Sequence, residues 1–258
     1  MQGAAFKEPY MLRSLCAALA LCLVLPFTSE AADSDPAAGL SRAEIETIVR
    51  EYLIEHPQVI VEALQKMQER EEMAQAERTR RMIIAHADRL DDPTGRFVAG
   101  NPEGDVTIVE FFDYRCGYCK RVMPTLFDEV ERDGNVRLVF KEFPVLGDDS
   151  VLAARAGIAA AAQGRYRDMH MALMQTRGGL TETKIMSIAG DLGLDTAELK
   201  RQMFSSATEA EISANYELAQ MLGIRGTPGF VIGTEVVPGA ISPEQFRQFI
   251  DAARKSSG

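Results

Sequence analysis

The sequence of 258 residues predicts an α/β domain that carries a block of inserted helices and is preceded by a helical stalk. Two apolar runs rich in β-branched residues, 106–112 and 136–143, indicate buried strands. A short hairpin pattern follows at 230–237, and residues 149–222 between them have the periodicity of helices. Strands and helices mixed in this way within one domain-sized segment are typical of the α/β class.

Residues 1–31 are predicted to be a cleaved secretory signal peptide, so the mature chain is expected to begin at Ala32. Arg13 precedes an apolar run over residues 15–27, and Ser29-Glu30-Ala31 supplies small residues for cleavage. The run is shorter than the roughly 20 residues that a membrane-spanning helix needs. Met11 is an alternative start of translation. We therefore expect an exported, periplasmic protein.

Removal of this segment leaves Cys116 and Cys119 as the thiols of the mature chain, because Cys16 and Cys22 lie within the signal. Exported proteins that are stabilised by disulfides usually carry more pairs at longer spacing. A bond across two intervening residues would constrain the unfolded chain very little. The pair is therefore predicted to serve chemistry.

The formal net charge is −10, and the signal contains two positive and two negative residues, so cleavage leaves the balance unchanged. Nucleic acids and anionic membranes select basic surfaces. An acidic protein is not expected to have either as a partner.

Residues 32–90 are predicted to form an N-terminal helical oligomerisation segment and stalk. Ser41-x-x-Glu44 is typical of a capping box at a helix start. Apolar residues then share one face, namely Ile45, Ile48, Val49, Tyr52 and Leu53 in a first helix and Ile60, Ala63, Leu64 and Met67 in a second. A continuous second helix from Pro57 to Leu90 would be about 50 Å long. Its apolar face is expected either to pack on the main domain or to meet copies of itself, and the intervening polar stretch favours self-association.

The main domain is predicted over residues 91–258. A helix follows the cysteines to about Glu131, and further helices are expected at 151–162, 184–192 and 196–222. The final helix begins at Ser242-Pro243, a good cap followed by proline at the first helical position. Strand, helix, strand, helical block, hairpin and helix is the order of a thioredoxin fold with a helical insertion at about residues 145–222.

Cys116-Gly117-Tyr118-Cys119 lies where a buried strand gives way to a helix. Unpaired N–H groups at a helix start stabilise a thiolate, which is the nucleophile of disulfide exchange. Cys116 is therefore expected to attack, and Cys119, one turn further along, to resolve the mixed disulfide. The alternative is a metal site. No second cysteine or histidine pair completes four zinc ligands, because the three histidines are scattered, so a soft ion such as Cu(I) held by two thiolates is the metal alternative.

Two motifs carry a resemblance to a known family. Glu110-Phe111-Phe112-Asp113-Tyr114-Arg115-Cys116-Gly117-Tyr118-Cys119 resembles the active-site strand and helix of the DsbA-type oxidoreductases. Gly226-Thr227-Pro228-Gly229-Phe230 resembles their cis-proline loop. The resemblance covers most of residues 97–258. The N-terminal helices resemble those of the ScsC-like, copper-sensitivity-suppressor branch, whose members include oligomeric disulfide isomerases.

The resemblance implies roles for individual residues. Cys116, Cys119, Glu110, Thr227 and Pro228 would be catalytic, with Glu110 relaying the proton when Cys119 becomes a thiolate. Gly117, Tyr118 and Thr227 would contact the substrate.

A cis bond before Pro228 would turn the backbone of Thr227 toward Cys116, where an extended substrate could add as a strand. Lys141, on the neighbouring strand, is expected as a partner for Glu110 because a buried carboxylate is costly without one.

Other residues near the motif are interpreted more simply. Tyr118 replaces the histidine of the strong oxidases, so a less oxidising couple is expected. Tyr114 and Arg115 either shape the substrate surface or pack. His170 is expected to be structural. Met169, Met171 and Met174 have helical spacing and are expected in the core.

The expected function is that of a periplasmic, oligomeric protein disulfide isomerase acting on exported proteins, with a trimer favoured by the resemblance and no cofactor. Isomerase work needs the reduced form, so a membrane reductase of the DsbD or ScsB kind is implied. A DsbA-like dithiol oxidase is the alternative, because redox poise alone decides the direction. An alternative of another class is a copper-binding or holdase protein that uses the cysteines as ligands.

Overall fold

The computed structural model describes residues 39–257, so the predicted signal peptide and the leader up to residue 38 lie outside the described residues. The helices are α1 (Arg42–Glu55), α2 (Gln58–Ala85), α3 (Ala87–Leu90), α4 (Gly117–Asp133), α5 (Asp148–Ala161), α6 (Tyr166–Gln175), α7 (Glu182–Asp191), α8 (Thr196–Met203), α9 (Ser206–Met221) and α10 (Pro243–Ser257). The strands are β1 (Val98–Gly100), β2 (Val106–Phe112), β3 (Val136–Glu142), β4 (Gly229–Ile232) and β5 (Glu235–Pro238). Over this part of the chain, none of the helices has the length and apolar character that crossing a membrane requires.

The chain divides into two compact units, one up to Ile60 and one from Val61 onward. In the first unit, the predicted capping box is confirmed: Glu44 N–H donates to Ser41 Oγ at 3.3 Å, and Ser41 N–H donates to Glu44 Oε2 at 2.8 Å. No residue of α1 is buried. Its apolar stripe, which includes Ile48 and Tyr52, is about half exposed.

The expectation of one continuous helix from Pro57 to Leu90 is wrong at His86. This residue leaves the helical conformation with φ −120° and ψ 25°, and α3 follows it. Residues after the break contact the rest of the redox unit, since the Arg89 guanidinium donates to the carbonyl of Ala214 in α9 at 3.3 Å. Ile83 and Leu90, on either side of the break, are both buried against the sheet.

The second unit is built around a five-stranded sheet of order β1-β3-β2-β4-β5. Strands β2 and β3 are parallel and every other neighbouring pair is antiparallel. This arrangement, with α4 between β2 and β3 and a helical block before β4, is the predicted thioredoxin fold with its insertion. Strand β1 was not predicted, because its three residues are too few to show an alternating pattern.

The two faces of the sheet carry separate cores because side chains alternate along a strand. Ile108 and Phe112 face the cluster that contains both cysteines and most of the inserted helices. Val109 and Phe111 face a second cluster with Ile83 and residues of α9. The active-site face is therefore covered by α4 and the insertion.

The predicted helix over residues 196–222 is two helices, α8 and α9. Ser205 caps the second, since its Oγ accepts the N–H of Thr208 at 3.2 Å. The remaining predicted helices of the insertion are present, and α5 is rich in alanine and buried over most of its length.

Candidate active site

Cys116 is the N-cap residue of α4, and its sulfur lies between the helix and the loop before β4. Its Sγ accepts the N–H of Cys119 at 3.4 Å, and its thiol donates to the carbonyl oxygen of Thr227 at 3.2 Å. The Cys116 N–H donates to the carbonyl of Asp113 at 3.0 Å, which closes the turn between β2 and α4. Both cysteines are free thiols.

The pKa values of the two thiols are shifted in opposite directions. Hydrogen bonds from the Cys119 side chain, and from the N–H groups of Cys119 and Tyr118, lower the pKa of Cys116 to about 5 despite partial burial. The pKa of Cys119 is raised, because its thiol is engaged by Cys116 and lies in a buried site near Glu110. Near neutral pH, Cys116 is therefore a thiolate and Cys119 is a thiol.

The loop of Thr227 and Pro228 forms the opposite wall of the site. The Thr227–Pro228 peptide bond is cis. Pro228 accepts a hydrogen bond from Gly239 N–H at 2.8 Å, which ties the loop to the end of β5. A Cβ at Gly229, the first residue of β4, would come within 2.7 Å of the Cγ2 methyl of Ile224, so any other residue here would require Ile224 to shift. The Thr227 carbonyl is thereby held beside the nucleophile.

Glu110 is fully buried on β2, and neither of its carboxylate oxygens has a hydrogen-bond partner within residues 39–257. Burial, and next the charge of Cys116, raise the pKa of Glu110 to about 8. Glu110 lies on the same face of β2 as Ile108 and Phe112, which pack in the cluster that contains Cys119, and its charge contributes to the raised pKa of that thiol. A carboxyl with such a pKa can hold or release a proton near neutrality.

The predicted pairing of Lys141 with Glu110 is wrong. In the parallel β2–β3 register Glu110 lies opposite Phe140, whereas Lys141 lies opposite Phe111. Residues that lie opposite one another share a face, so Lys141 points to the other side of the sheet from Glu110. Its Nζ donates to the Asp91 carbonyl at 3.4 Å.

Gly117 and Tyr118 lie at the surface beside Cys116. Tyr118 is 62% exposed, and the guanidinium of Arg121 lies 4.3 Å from the centre of its ring. A cation held against an exposed aromatic ring offers a flat contact surface next to the nucleophile. Tyr114, by contrast, is 1% exposed and packs in the core, which decides between its two predicted roles.

The sequence interpretation missed a buried polar cluster next to the turn between β2 and α4. Glu142 Oε1 accepts hydrogen bonds from Tyr114 at 2.8 Å and Tyr166 at 3.1 Å, and Tyr114 is also within 3.3 Å of His170 Nδ1. The signal was present, because Glu142 is a carboxylate within the apolar run 136–143, as Glu110 is in its own.

Within residues 39–257, no three side chains of the histidine, cysteine, aspartate and glutamate types are grouped so that they could hold a metal ion. The predicted core methionines Met169 and Met174 are buried, and Met171 is partly buried against the same cluster. His170 is buried, and burial lowers its pKa to about 3, so it is neutral.

Comparison with known proteins gives matches over both parts of the chain. The family described as DSBA-like thioredoxin domain matches residues 107–251, more than half of the chain, and the family described as Copper resistance protein ScsC N-terminal domain matches residues 42–74. A thioredoxin-like oxidoreductase from Silicibacter pomeroyi is 48% identical, with a TM-score of 0.62 over 65% of this chain and 97% of its own. Proteus mirabilis ScsC in a transitional conformation is 25% identical, with a TM-score of 0.61 over 85% of this chain and 99% of its own.

Curated relatives include longer proteins. The Na(+)/H(+) antiporter NhaA 3 of Salinispora tropica is 28% identical over 62% of this chain, and the match spans 26% of the antiporter. The chain thus corresponds to about a quarter of the length of the first curated relatives that it matches.

Proposed function

From the premise that this chain belongs to the DSBA-like thioredoxin-domain family of thiol–disulfide oxidoreductases, we propose that it is an oligomeric protein disulfide isomerase of the periplasm. The observation that carries the proposal is the dithiol site. Cys116 Sγ lies 3.2 Å from the carbonyl oxygen of Thr227, in the loop to which an extended polypeptide could pair.

The isomerisation step conserves electrons. The Cys116 thiolate attacks one sulfur of a wrong substrate disulfide, forms a mixed disulfide, and releases the other substrate sulfur as a thiolate. That thiolate attacks another substrate disulfide, and a later substrate thiolate displaces Cys116. The substrate ends with the same number of disulfides in a new arrangement.

Cys119 provides the exit when rearrangement stalls. Glu110 has a pKa of about 8, so a fraction of it is deprotonated near neutral pH, and this carboxylate accepts the proton of the Cys119 thiol. The Cys119 sulfur then attacks Sγ of Cys116. The substrate then leaves reduced, and Cys116 and Cys119 are joined by a disulfide. The raised pKa of Cys119 favours isomerisation, because the mixed disulfide persists while Cys119 remains a thiol. A reductase must then return two electrons, and a membrane reductase of the DsbD or ScsB kind would suit this role.

Support for an oligomer comes from the N-terminal segment. Its apolar residues, including Ile45, Ile48 and Leu64, are about half exposed. Exposed apolar stripes on helices are typical of interaction sites. The match of residues 42–74 to the ScsC N-terminal domain falls on the same segment. Several joined active sites could grip one substrate at more than one place.

The function is tested by reactivation of a scrambled, wrongly disulfide-bonded protein. The reduced mature chain, without added oxidant, is expected to restore the activity of this substrate, and Cys116→Ser is expected to abolish recovery. Cys119→Ser is expected to accumulate a mixed disulfide with the substrate, visible on a non-reducing gel. A copper ligand pair would instead lose metal affinity without trapping substrate.

Failure of the reduced chain to reactivate the substrate, together with rapid oxidation of a reduced protein by the disulfide form, would contradict the isomerase proposal and indicate a DsbA-like oxidase. The role of the oligomer is better tested by substitutions on α1 than by deleting residues 32–90. Such a deletion would remove Ile83 and Leu90 from the core of the redox domain.

A further inference from the structure

The turn over residues 113–116, which joins β2 to the helix of the redox pair, is hydrogen-bonded through Asp113 and Arg115 to the segment after β3. The buried carboxylate of Asp113 accepts the N–H of Arg115 at 2.7 Å, the hydroxyl of Ser150 at 2.8 Å and the N–H of Leu146 at 3.0 Å. The Arg115 guanidinium donates to the Leu146 carbonyl at 3.0 Å. All of these partners outside the turn belong to the loop after β3 or to the start of the insertion.

Tyr114 extends this anchoring into the core. Its hydroxyl donates to Glu142 Oε1 at 2.8 Å and lies 3.3 Å from His170 Nδ1. Tyr166 donates to the same Glu142 oxygen at 3.1 Å. Tyr166 and His170 both lie on α6 of the insertion, so the Glu142 carboxyl joins this helix to the residue two positions before Cys116.

These four side chains are at most 4% exposed, and Glu142 Oε2 and His170 Nε2 have no hydrogen-bond partner among the described residues. Buried polar groups cost free energy unless they are fully satisfied, so an apolar core would be more stable here. Burial raises the pKa of Glu142, and the two tyrosine hydroxyls oppose the rise. A cluster that costs stability in this place indicates a role other than packing.

Gly157 shows how closely the insertion approaches the cluster. A Cβ at this position of α5 would come within 2.7 Å of both Glu142 Oε1 and the Tyr114 hydroxyl. Glycine is less favourable than alanine inside a helix. The absence of a side chain at Gly157 therefore allows α5 to cover the Tyr114–Glu142 hydrogen bond.

We propose that Glu142 and Tyr114 are positioning residues for the redox pair, which hold the turn 113–116 to the helical insertion so that Cys116 Sγ stays at the start of α4 and against the Thr227 carbonyl. The inference rests on the redox role proposed for Cys116. The pKa of Cys116 and the dithiol–disulfide equilibrium of the active site thus depend on Glu142 and Tyr114 as well as on the Thr227 loop.

The test compares full-length mature Tyr114→Phe and Glu142→Leu with the wild type. Two quantities are measured: the pH dependence of Cys116 alkylation by iodoacetamide, and the equilibrium of the cysteine pair with reduced and oxidised glutathione. Loosening the turn is expected to raise the pKa of Cys116 from its value of about 5 in the intact site. The equilibrium constant for reduction by glutathione should fall about tenfold for each unit by which this pKa rises, because the reduced form loses thiolate stabilisation.

Two controls separate positioning from stability. Thr208→Val deletes a buried hydroxyl that donates to the Gln202 carbonyl, where α8 meets α9. Leu173→Ala opens a cavity in α6, beside the cluster but without touching its hydrogen bonds. Both are expected to lower stability and to leave the Cys116 pKa and the glutathione equilibrium unchanged. Glu142→Gln keeps an oxygen that can accept the hydrogen bonds of the two tyrosine hydroxyls. It is expected to retain the wild-type Cys116 pKa and glutathione equilibrium.

Gly157→Ala keeps the proposal testable if Glu142→Leu does not fold. It removes no polar group and favours the helix, yet it is expected to raise the Cys116 pKa by separating Tyr114 from Glu142. Folded Tyr114→Phe and Gly157→Ala proteins with wild-type alkylation profiles and glutathione equilibria would overturn the proposal. An ordinary thiol pKa in the wild type itself would instead contradict the redox role of Cys116, so the two failures are distinguishable.

Discussion

Two acidic groups within seven residues of each other, Glu110 and Cys116, are shifted in opposite directions. Cys116 receives hydrogen bonds at a helix start, which stabilise its anion. Glu110 receives none from the described residues, and burial, followed by the charge of Cys116, favours its neutral form. The same short segment therefore supplies a nucleophile that is charged at neutral pH and a carboxyl that still holds a proton there.

Glu110→Gln is expected to increase the stability of the reduced protein at pH 8 but not at pH 4.5. The folded-state pKa of Glu110 is raised from 4.5 to about 8, so its contribution is fully present below pH 4.5 and is lost as the pH rises through 8. The difference in unfolding free energy between variant and wild type should grow by up to about 1.4 kcal/mol per pH unit across this window. Urea unfolding at a series of pH values measures it.

Glu103→Gln, the same change at an exposed position before β2, serves as the control and is expected to show no such trend. If the difference in unfolding free energy between Glu110→Gln and the wild type does not change with pH, the pKa of Glu110 is not raised in the folded protein.

At the residue scale, two motifs in the sequence predict that Cys116, Cys119, Glu110 and the loop of Thr227 and Pro228 form one site, and the structure places Cys116 Sγ beside the Thr227 carbonyl. It could not identify the partners of Tyr114, since Tyr166 and His170 lie on a helix whose packing depends on tertiary contacts. Lys141 was misplaced because a single residue of register decides which face of a sheet a side chain joins.

At the level of elements, capping and periodicity predicted most helices and strands, and the errors lie where tertiary contacts override local pattern. The break at His86 occurs inside a sequence with no proline or glycine. The junction at Ser205 does carry a capping residue, but it lies within an otherwise helical run. Elements with an explicit cap, such as α1 and α10, begin where the sequence predicts.

Lys141→Met is expected to stabilise the protein by about 1–2 kcal/mol at neutral pH. Lys141 is 6% exposed on the face of β3 that packs toward α9, and burial lowers its pKa. The charges of Glu211, Asp92 and Asp91 oppose this lowering of the pKa only in part. Urea unfolding measures the gain. Lys184→Met, at an exposed position of α7, is expected to be neutral, and destabilisation by Lys141→Met would show that the Asp91 carbonyl satisfies the ammonium fully.

For the whole molecule, the N-terminal unit and the redox unit differ in how they are stabilised. The redox unit buries two cores, one on each face of its sheet. The helix α1 buries no residue, although it presents a continuous apolar stripe. The redox unit therefore has the means to fold by itself, whereas α1 has not.

Ile48→Glu is expected to reduce the mass of the mature protein in sedimentation velocity to that of a monomer. In the oligomer, a charge within the apolar stripe would be buried between copies of α1. Burying it costs more free energy than burial of the stripe contributes to association. Thr47→Glu introduces the same residue on the opposite side of α1 and is expected to leave the mass unchanged. A wild type that sediments as a monomer at every concentration would contradict the proposed oligomer.

Under the proposed self-association through the exposed apolar stripe of α1, the assembly state of the protein depends on its concentration. A helix of 14 residues is only marginally stable in water by itself, so its formation and its association are expected to be one coupled equilibrium. By mass action, each dilution shifts that equilibrium toward separate chains with unwound N-termini. The same polypeptide would then act as a joined set of thiols where it is abundant and as single, independent redox domains where it is scarce.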